Sequence, residues 1–438
     1  MHNIYLVSLG CDKNRVDGET MVGTLRQGGY QVVNNPEMAD AIIVNTCGFI
    51  KEAVQESIDL ILELSEYKTQ GSCRGLLVVG CMAQRYKKEI LEAIPEADLI
   101  IGVGEYEGIA DAVASLIGKA ESTASTGTFA RLAARVDDAT PHIAYIKIAE
   151  GCDNHCTYCT IPSIRGPYKS RPMEDILEEA RQLVDTGVAE IILVAQDTAL
   201  YGTDIYKENR LPQLLESLAT LDVWIRLMYA YPEHITDALI STMAKLPQVC
   251  KYIDMPIQHS ETVIINRMGR RGSKQALKDI ISKLRTAMPN IAIRTTLIVG
   301  FPSECGDAFN RMHKFVADMQ FDRLGAFPYS QEAGTPAATM AKQVRESTKL
   351  TRLERIMDLQ QSIHFAKQAS KIGMVEDVII DSIEDDGSYT GRTQYDAYEV
   401  DATVNFTANQ PLTKGKIYPV KITAANGYDL GGIYEPAQ

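Results

Sequence analysis

The stretch Gly151-Cys152-Asp153-Asn154-His155-Cys156-Thr157-Tyr158-Cys159 decides the fold of the central part of this chain. Its three cysteines have C-x3-C-x2-C spacing and follow an apolar run at 144–149 that predicts a strand. Three thiolates on one tight loop suit a [4Fe–4S] cluster, and three protein ligands leave one iron with an open position. The alternative is a zinc site, for which His155 is the only nearby candidate for a fourth ligand.

The cysteine loop lies within a series of alternating strand and helix patterns. Further apolar runs predict strands at 190–195, 224–229, 252–256, 291–299 and 323–328. Amphipathic segments such as 173–186 and 273–288 predict helices between them, and a charged helical stretch at 346–371 follows. Six strands at this spacing predict a partial or full βα barrel, with its functional residues at the carboxyl ends of the strands.

The N-terminal part of the chain repeats one pattern three times. Three apolar runs predict strands, and each ends near a cysteine: 4–7 before Cys11, 41–44 before Cys47, and 76–79 before Cys81. Helical patterns such as 18–27 and 53–64 follow, which predicts an open parallel α/β sheet. The carboxyl ends of such strands form a ligand crevice, where the three cysteines can converge. Soft thiolates favour iron–sulfur or zinc, whereas the alternative is three structural thiols.

The C-terminal part has a different sequence pattern. Short segments separated by turn residues predict strands at 375–380, 387–392, 397–404 and 417–423. Together they predict a small antiparallel β-barrel. Between the N-terminal and central parts, residues 119–140 are rich in Ser, Thr, Ala and Gly and predict a linker or hairpin.

The composition limits the class of protein. The 438 residues include 44 Lys and Arg against 57 Asp and Glu, a net charge of −13, which argues against the broadly basic surface of a nucleic-acid binder. Nine cysteines are an odd number in a long chain, so metal binding or catalysis is expected rather than a disulfide framework. No apolar run approaches a membrane span and no signal-peptide pattern is found, so a cytoplasmic location without membrane contact is expected.

The cysteine loop, with Tyr158 directly before the third cysteine, resembles the radical S-adenosylmethionine (SAM) superfamily. The resemblance implies that Cys152, Cys156 and Cys159 hold a [4Fe–4S] cluster whose open iron binds SAM. Reduction would then cleave SAM to methionine and a 5′-deoxyadenosyl radical. The resemblance also implies that Tyr158 packs against the adenine, and a core tyrosine is the alternative for this residue.

With Cys11, Cys47 and Cys81 included, the whole chain is similar to the radical SAM methylthiotransferase family. This resemblance implies a second [4Fe–4S] cluster on those three cysteines, with SAM as both methyl donor and radical source. It implies a multidomain α/β protein with an open parallel sheet, a radical SAM partial (βα)6 barrel and a small TRAM β-barrel. The domains would be a methylthiotransferase N-terminal domain at 1–120, a linker at 121–140, a radical SAM domain at 141–370 and a TRAM domain at 371–438.

The stretch Ser8-Leu9-Gly10-Cys11-Asp12-Lys13-Asn14-Arg15-Val16-Asp17 resembles the RimO branch of this family, as do Gly391-Arg392-Thr393, Asp396 and Glu399. The resemblance implies addition of a methylthio group to the β-carbon of an aspartate in small-subunit ribosomal protein twelve. It also implies contact with the ribosome and a reductant such as flavodoxin or ferredoxin. Residues 371–438 include 5 basic and 11 acidic residues, a net of −6, which suits a basic protein substrate better than RNA phosphates.

Two alternatives remain open for the function. The MiaB branch modifies tRNA adenosine and typically has Gln-Met between the first cysteine and the asparagine, unlike this chain. An iron–sulfur electron-transfer or cluster-carrier protein belongs to another class, and electron-transfer clusters usually have four cysteine ligands. Cleavage of SAM to 5′-deoxyadenosine separates that class from a radical SAM enzyme.

Further SAM contacts are predicted in the strands of the central part and at their ends: Gln196, Arg226, Arg294 and Gly300. A buried arginine pairs well with the SAM carboxylate, and a salt-bridged core residue is the alternative. His259 is predicted to be a core histidine. The basic stretch 267–272 is interpreted as exposed charge at a helix end rather than a contact for RNA or the ribosome. The sequence does not identify the residue that directs the radical, the sulfur donor, the order of the two steps or the oligomeric state.

Overall fold

The computed structural model describes residues 2–118 and 141–436, so the predicted linker at 121–140 lies outside the described residues. The described residues form two compact units. The first contains 2–118, 150–153 and 159–169, and the second contains 141–149, 154–158 and 170–436. The cysteine loop is therefore divided, because Cys152 and Cys159 belong to the first unit and Cys156 belongs to the second.

The first unit is built on a parallel sheet, as predicted, but the sheet has five strands, and two of them, β2 and β5, were not among the three predicted strands. Its strands are β1 (Asn3–Ser8), β2 (Gln31–Val33), β3 (Ala41–Thr46), β4 (Gly75–Gly80) and β5 (Leu99–Ile101), in the order β2-β1-β3-β4-β5. Its helices are α1 (Asp12–Gln27), α2 (Lys51–Ser65), α3 (Tyr67–Gln70), α4 (Cys81–Arg85), α5 (Lys87–Ala93), α6 (Ile109–Ile117) and α7 (Ile161–Arg165).

Helices cover both faces of this sheet, so β3 and β4 are buried along their whole length. One face packs against α2 and α4 through side chains such as Ile61 and Met82. The other face packs against α1 and α6 through side chains such as Met21 and Val113. Because both faces are covered, the carboxyl ends of the strands are the expected ligand-binding edge, and β1, β3 and β4 are neighbours there.

The central part of the second unit has six parallel strands that follow one another in sequence order, which is the predicted (βα)6 arrangement. They are β6 (Ile143–Lys147), β9 (Glu190–Val194), β10 (Trp224–Leu227), β11 (Tyr252–Asp254), β12 (Ala292–Val299) and β13 (Arg323–Pro328). Two short strands, β7 (Ala149–Glu150) and β8 (Lys169–Ser170), lie between β6 and β9 in the sequence. The strands pair as β6-β9-β10 and β11-β12-β13, and a bridge from Ile225 to Val249 continues from β10 toward β11.

Helices connect these strands in the predicted alternation. They are α8 (Met173–Asp185), α9 (Leu211–Leu218), α10 (Asp237–Lys245), α11 (Thr262–Arg267), α12 (Lys274–Ala287), α13 (Gly306–Met319) and α14 (Glu346–Ser370). Within residues 2–118 and 141–436, none of the helices combines the length and the hydrophobicity that spanning a bilayer requires.

The C-terminal part of the second unit is a closed five-stranded barrel. Its strands are β14 (Val375–Ile383), β15 (Tyr389–Thr393), β16 (Val404–Thr407), β17 (Ile417–Asn426) and β18 (Asp429–Tyr434), in the order β14-β15-β16-β18-β17. Four pairings are antiparallel, whereas β16 and β18 run parallel. The predicted strand at 397–404 is wrong except at Val404. The chain turns there because the Ala397 carbonyl accepts hydrogen bonds from the amides of Val400 and Asp401.

Buried ion pairs join the two barrels of the second unit. Glu190, at the start of β9, binds Arg226 of β10 at 2.6 Å and Arg392 of β15 at 2.7 Å. Arg323 of β13 pairs with Asp396, which follows β15. Burial alone would raise the pKa of the Glu190 carboxyl, but the two arginines outweigh burial and lower that pKa to about 2. The two barrels therefore share one buried charge network.

Candidate functional site

Cys11, Cys47 and Cys81 lie at the carboxyl ends of three neighbouring strands in the first unit. Cys47 follows β3 directly, Cys81 follows β4 directly, and Cys11 comes shortly after β1. Cys11 is exposed, Cys47 is partly exposed and Cys81 is buried. The three repeats of the sequence pattern thus place their cysteines at one edge of the sheet, each at the end of one of three adjacent strands.

Glycines beside these cysteines allow their loops to approach one another. Gly10 has a φ of +91°, and a side chain there would place its Cβ 2.9 Å from Cys47 Sγ. A Cβ on Gly48 would lie 2.7 Å from the backbone of Met82, next to Cys81. Both distances are shorter than real Cβ contacts, so each cysteine loop rests directly on its neighbour.

Asn14 and Ser57 fix these loops through their side chains. The Asn14 amide group donates to the Leu9 carbonyl at 2.7 Å and to the Thr46 carbonyl at 3.2 Å, so it ties the first cysteine loop to the end of β3. The Ser57 hydroxyl, on α2, accepts a hydrogen bond from the Cys47 amide at 3.2 Å. Asn14 belongs to the family pattern in the sequence, but Ser57 is not among the predicted residues, because its role depends on the packing of α2.

A buried arginine contacts the Cys81 sulfur in the first unit. Arg165 ends α7, its side chain is 1% exposed, and its Nη2 lies 3.3 Å from Cys81 Sγ. The same guanidinium pairs with Asp17 at 3.1 Å and Glu150 at 3.0 Å, and it donates to Asn14 Oδ1 at 3.3 Å. Arg165 is not among the predicted site residues, because its only signal in the sequence is a single charge at the end of an otherwise uncharged helix. The two carboxylates hold this cation in place against a thiol.

Burial is the main influence on the thiols of this group. It raises the pKa of Cys47, and it raises the pKa of Cys81 to about 11 although Arg165 partly opposes the shift. The neighbouring cysteines add to both shifts because a nearby negative charge disfavours a second thiolate. Three soft donors beside one buried cation fit an anionic iron–sulfur cluster. Within the part of the chain that the structure describes, no three His, Cys, Asp or Glu side chains form a group able to hold a single metal ion.

Cys152 and Cys159 of the cysteine loop are fixed by backbone contacts in the first unit. The Cys152 amide donates to the Gly166 carbonyl at 3.1 Å. Cys159 Sγ accepts a hydrogen bond from the Ile161 amide, at the start of α7, at 3.4 Å. An amide donor of this kind favours the thiolate form of a cysteine, which is the form that binds iron.

Cys156 contacts a tyrosine of the second unit. The Tyr231 hydroxyl lies 2.6 Å from Cys156 Sγ, and Tyr231 comes shortly after β10. Asn154, two residues before Cys156, donates to Asp197 at 3.0 Å, and His234 Nδ1 lies 2.6 Å from the same carboxylate. Asp197 is fully buried and follows β9. The Cys156 segment is therefore attached to the carboxyl ends of two neighbouring barrel strands, where the sequence predicted the site.

Tyr158 packs against the end of another barrel strand. Its ring meets Phe301 edge-on with the centroids 6.4 Å apart, in an apolar cluster that includes Met268. Just before it, the Thr157 amide donates to the Met268 carbonyl at 2.9 Å, and the Thr157 carbonyl accepts from the Ala337 amide at 2.8 Å. Tyr158 remains partly exposed, and its contact with adenine stays a prediction.

Gln196 and Gly300 also follow barrel strands, β9 and β12 respectively. Gly300 has a φ of +73°, and its amide donates to Glu304 Oε2 at 3.0 Å. Glu304 is buried, accepts from Arg352 at 2.8 Å and lies 3.3 Å from His259 Nε2. His259 is fully buried, as predicted for a core histidine. The role of Glu304 in holding the Gly300 turn cannot be read from the sequence, because it depends on an arginine 48 residues away.

Arg226 and Arg294 both form ion pairs with carboxylates. Arg226 is fully buried against Glu190. Arg294 lies 3.3 Å from Asp254 and 3.7 Å from Asp401. At both positions the structure shows the salt-bridged alternative that the sequence left open, and the contact with SAM stays a prediction.

The basic stretch 267–272 is not uniformly exposed. Arg267 and Arg271 are exposed, but Arg270 is only 4% exposed, so the interpretation as exposed charge is wrong for Arg270. The guanidinium carbon of Arg270 lies 3.7 Å from the centre of the Tyr231 ring, and its Nη2 lies 3.4 Å from Glu233. A stacking interaction and an ion pair together explain why this arginine is buried.

Three known families match successive parts of the chain. Residues 3–102 match the uncharacterized protein family UPF0004, residues 146–316 match the radical SAM superfamily, and residues 372–434 match the TRAM domain.

Curated relatives match nearly the whole chain. The ribosomal protein uS12 methylthiotransferase RimO of Desulforamulus reducens is 48% identical over 440 residues, which cover 99% of this chain and 99% of the relative. The protein of the same name from Clostridium tetani is 46% identical, over 98% of this chain and 97% of the relative.

A solved structure shares the fold. The radical SAM methyltransferase TsrM from Kitasatospora setae, with cobalamin and a [4Fe–4S] cluster bound, superimposes with a TM-score of 0.54. The match covers 77% of this chain and 74% of that chain at 12% identity, so it supports the architecture alone.

Proposed function

Because this chain belongs to the RimO family of ribosomal protein uS12 methylthiotransferases, within the radical SAM superfamily, we propose that it adds a methylthio group to the β-carbon of an aspartate in ribosomal protein uS12. The observation that carries this proposal is the 48% identity over 99% of both chains. The match covers the N-terminal sheet, the central barrel and the C-terminal barrel together, and so all the domains that would take part in the reaction.

We propose that each set of three cysteines holds one [4Fe–4S] cluster: Cys152, Cys156 and Cys159 the first, and Cys11, Cys47 and Cys81 the second. When bound, the first cluster would supply the electron that cleaves SAM, and the second would carry the sulfur that enters the product. The buried cation of Arg165 beside Cys81 supports the second assignment, because it offsets the negative charge of cluster-bound thiolates. The exposure of Cys11 supports it too, since a substrate must reach this edge of the sheet.

For SAM, we propose contacts from Tyr158, Gln196 and Gly300. All three belong to the second unit, which also contains the anchors of Cys156, and Gln196 and Gly300 follow barrel strands. Arg226 and Arg294 remain proposed contacts for the SAM carboxylate, although each also forms an ion pair with a carboxylate of the barrel.

The charge of the C-terminal barrel supports a basic protein substrate. Residues 371–438 include 5 basic and 11 acidic residues, and Glu384, Asp385 and Asp386 form an exposed acidic turn between β14 and β15. Such a surface attracts a basic ribosomal protein and repels RNA phosphates. We further propose contact with the ribosome, a flavodoxin or ferredoxin as reductant, and a cytoplasmic location.

We propose domain boundaries from the sequence pattern. The methylthiotransferase N-terminal domain would occupy 1–120, the linker 121–140, the radical SAM domain 141–370 and the TRAM domain 371–438.

A competition assay tests the substrate. The full chain is reconstituted anaerobically and given SAM, a reductant and sulfide, together with ribosomal protein uS12 and unmodified tRNA. Mass spectrometry should find a methylthio shift on an aspartate of the protein and none on the tRNA. A shift on the tRNA alone would replace this proposal with the MiaB-type activity.

Two cysteine variants test the division of labour between the cysteine groups. Cys156→Ala should abolish formation of 5′-deoxyadenosine, because the first group loses a ligand. Cys47→Ala should retain 5′-deoxyadenosine formation but yield no methylthio product. An electron carrier would form no 5′-deoxyadenosine in any variant, and methylthio product from Cys47→Ala would remove the second group from the reaction.

A further inference from the structure

We propose that Tyr231 and Arg270 set the reduction potential of the cluster that Cys156 helps to hold. Tyr231 donates a hydrogen bond to the Cys156 sulfur, and Arg270 holds the tyrosine ring and places a positive charge behind it. This inference rests on the proposed function, in which Cys156 is an iron ligand.

The hydrogen bond has one possible direction once Cys156 binds iron. A metal-bound cysteine is a thiolate without a proton, so the Tyr231 hydroxyl, 2.6 Å from the sulfur, is the donor. Reduction adds negative charge to the cluster and its sulfur ligands. A donor to one of those ligands therefore stabilises the reduced form more than the oxidised form, and the reduction potential rises.

Arg270 strengthens this effect through the tyrosine ring. Its guanidinium carbon lies 3.7 Å from the ring centre, a distance at which a cation–π interaction is strong. A cation over the ring draws electron density from it and makes the hydroxyl a better donor. Glu233 holds Nη2 at 3.4 Å, while the buried Nη1 has no hydrogen-bond partner among the residues that the structure describes.

A histidine also holds the Tyr231 ring in place. The His234 ring stacks on the Tyr231 ring at 5.7 Å and an interplanar angle of 25°. His234 in turn binds Asp197 at 2.6 Å, and Asp197 holds Asn154 of the cysteine loop at 3.0 Å. The tyrosine and the cysteine segment are thus attached to one carboxylate, so the hydrogen bond keeps its geometry.

The chain contains a matched control for Tyr231 in the same unit. Tyr252 is fully buried, Arg226 lies 4.9 Å from its ring centre, and its hydroxyl donates to Asp401 at 2.8 Å. Tyr252 therefore has the same side chain, a cation near its ring and a hydrogen-bonded hydroxyl, but its acceptor is a carboxylate. Loss of the Tyr252 hydroxyl should change local stability without changing the cluster.

The test uses the full chain with Cys11, Cys47 and Cys81 replaced by alanine, so that only the first cluster assembles. Iron, acid-labile sulfide and the reduction potential are measured by chemical assay and an EPR-monitored redox titration. Tyr231→Phe should retain the cluster and disfavour its reduced form about tenfold, which is about 59 mV for one electron. Tyr252→Phe should leave the potential unchanged. A Tyr231→Phe potential equal to that of the parent would overturn the inference.

Arg270→Gln tests the action through the ring. It should lower the potential in the parent and lower it less in the Tyr231→Phe variant, whereas equal shifts in both backgrounds would refute action through the tyrosine. If Tyr231→Phe fails to retain iron, Arg270→Gln alone decides, and an unshifted potential overturns the inference. Full iron and sulfide content in Cys156→Ala would instead refute the ligand assignment of the proposed function, so the two failures are distinguishable.

Discussion

The N-terminal and central cysteine groups place three thiols in opposite ways. Cys11, Cys47 and Cys81 are separated by 36 and 34 residues and meet only where three strands end. Cys152, Cys156 and Cys159 are close together in the sequence itself. The first group therefore depends on a folded sheet, whereas the second depends on the contacts that anchor one loop. Closing long stretches of chain costs more entropy, so the first group is the more sensitive to mutations that weaken the fold.

The two cysteine groups also differ in how a buried arginine contacts them. Arg165 touches the Cys81 sulfur directly and is neutralised by Asp17 and Glu150. Arg270 reaches the Cys156 region only across the ring of Tyr231. Arg165 therefore combines a structural ion-pair network with a positive charge directly beside a thiol, whereas Tyr231 and Arg270 are proposed to act on one sulfur through a hydrogen bond.

The largest effect is expected from Arg165→Gln. Removing the cation of a buried ion-pair network takes away the charge that faces Asp17 and Glu150, and we expect the unfolding free energy to fall by about 3–5 kcal/mol. Urea denaturation of the apoprotein measures this. The control is Arg15→Gln, whose ion pair with Glu19 at 3.3 Å is partly exposed and should contribute less than about 1 kcal/mol. Equal losses in the two variants would contradict the structural role of Arg165.

A second test separates backbone strain from cysteine packing. Gly10→Ala and Gly104→Ala both place alanine at positive φ, which costs about 1–2 kcal/mol each. A Cβ at residue 104 meets nothing within 4 Å, whereas one at residue 10 meets Cys47 Sγ at 2.9 Å. Only Gly10→Ala should therefore also reduce iron uptake by the N-terminal group, measured as iron per chain after Cys152, Cys156 and Cys159 are replaced. Equal iron uptake in both variants would show that Cys47 tolerates displacement.

The stability of the protein at low pH tests the buried ion pairs of the second unit. Arginines lower the pKa of Glu190 and of Asp396 to about 2 despite burial, which alone would raise it. Carboxyls in the unfolded chain titrate near pH 4, so these two stabilise the fold above that pH and lose their contribution as the pH falls toward 2. Fluorescence of Trp224, the single tryptophan, should report urea midpoints that decline over that range. Glu190→Gln should flatten the decline, and Glu216→Gln, at an exposed site, should not.

The smallest effect is expected from His155→Ala. His155 is the only nearby fourth ligand under the zinc alternative, and the structure leaves it exposed. Iron content and 5′-deoxyadenosine formation should match those of the parent. A loss of the metal site in this variant, with zinc recovered from the parent, would support a zinc site at the central cysteine group in place of the proposed iron–sulfur cluster.

The sequence predicts the regular parts of this fold well. The barrel strand β9 ends one residue before its predicted bound, because it is buried along its whole length and its residues 191–194 form a continuous apolar run. The strand β13 also has its predicted bounds, although its second half is partly exposed. The strand β18 was missed because Gly431 and Gly432 suggest a turn. Both glycines lie within the strand. At residue 432 the Cβ of any other residue would lie 2.5 Å from the Val420 side chain, so glycine fits there.

The site is predicted only where its chemistry is local or repeated. The six cysteines follow from spacing and from position after strands. Arg165 and Tyr231 were missed because their partners lie 84 and 75 residues away in the sequence, and no motif links such pairs. Arg270 was assigned to the surface because it lies in a basic stretch, although stacking and an ion pair bury it.

The charge network between the two barrels restricts which C-terminal barrels could replace this one. Glu190 and Arg323 of the central barrel find their partners in Arg392 and Asp396 of the C-terminal barrel. A C-terminal barrel transplanted from a relative would be compatible only if it supplied a cation and an anion at these two positions. We therefore expect the charged partners in the two barrels to change together, and new substrate preferences to arise by changes on the outer surface of the C-terminal barrel rather than by its replacement.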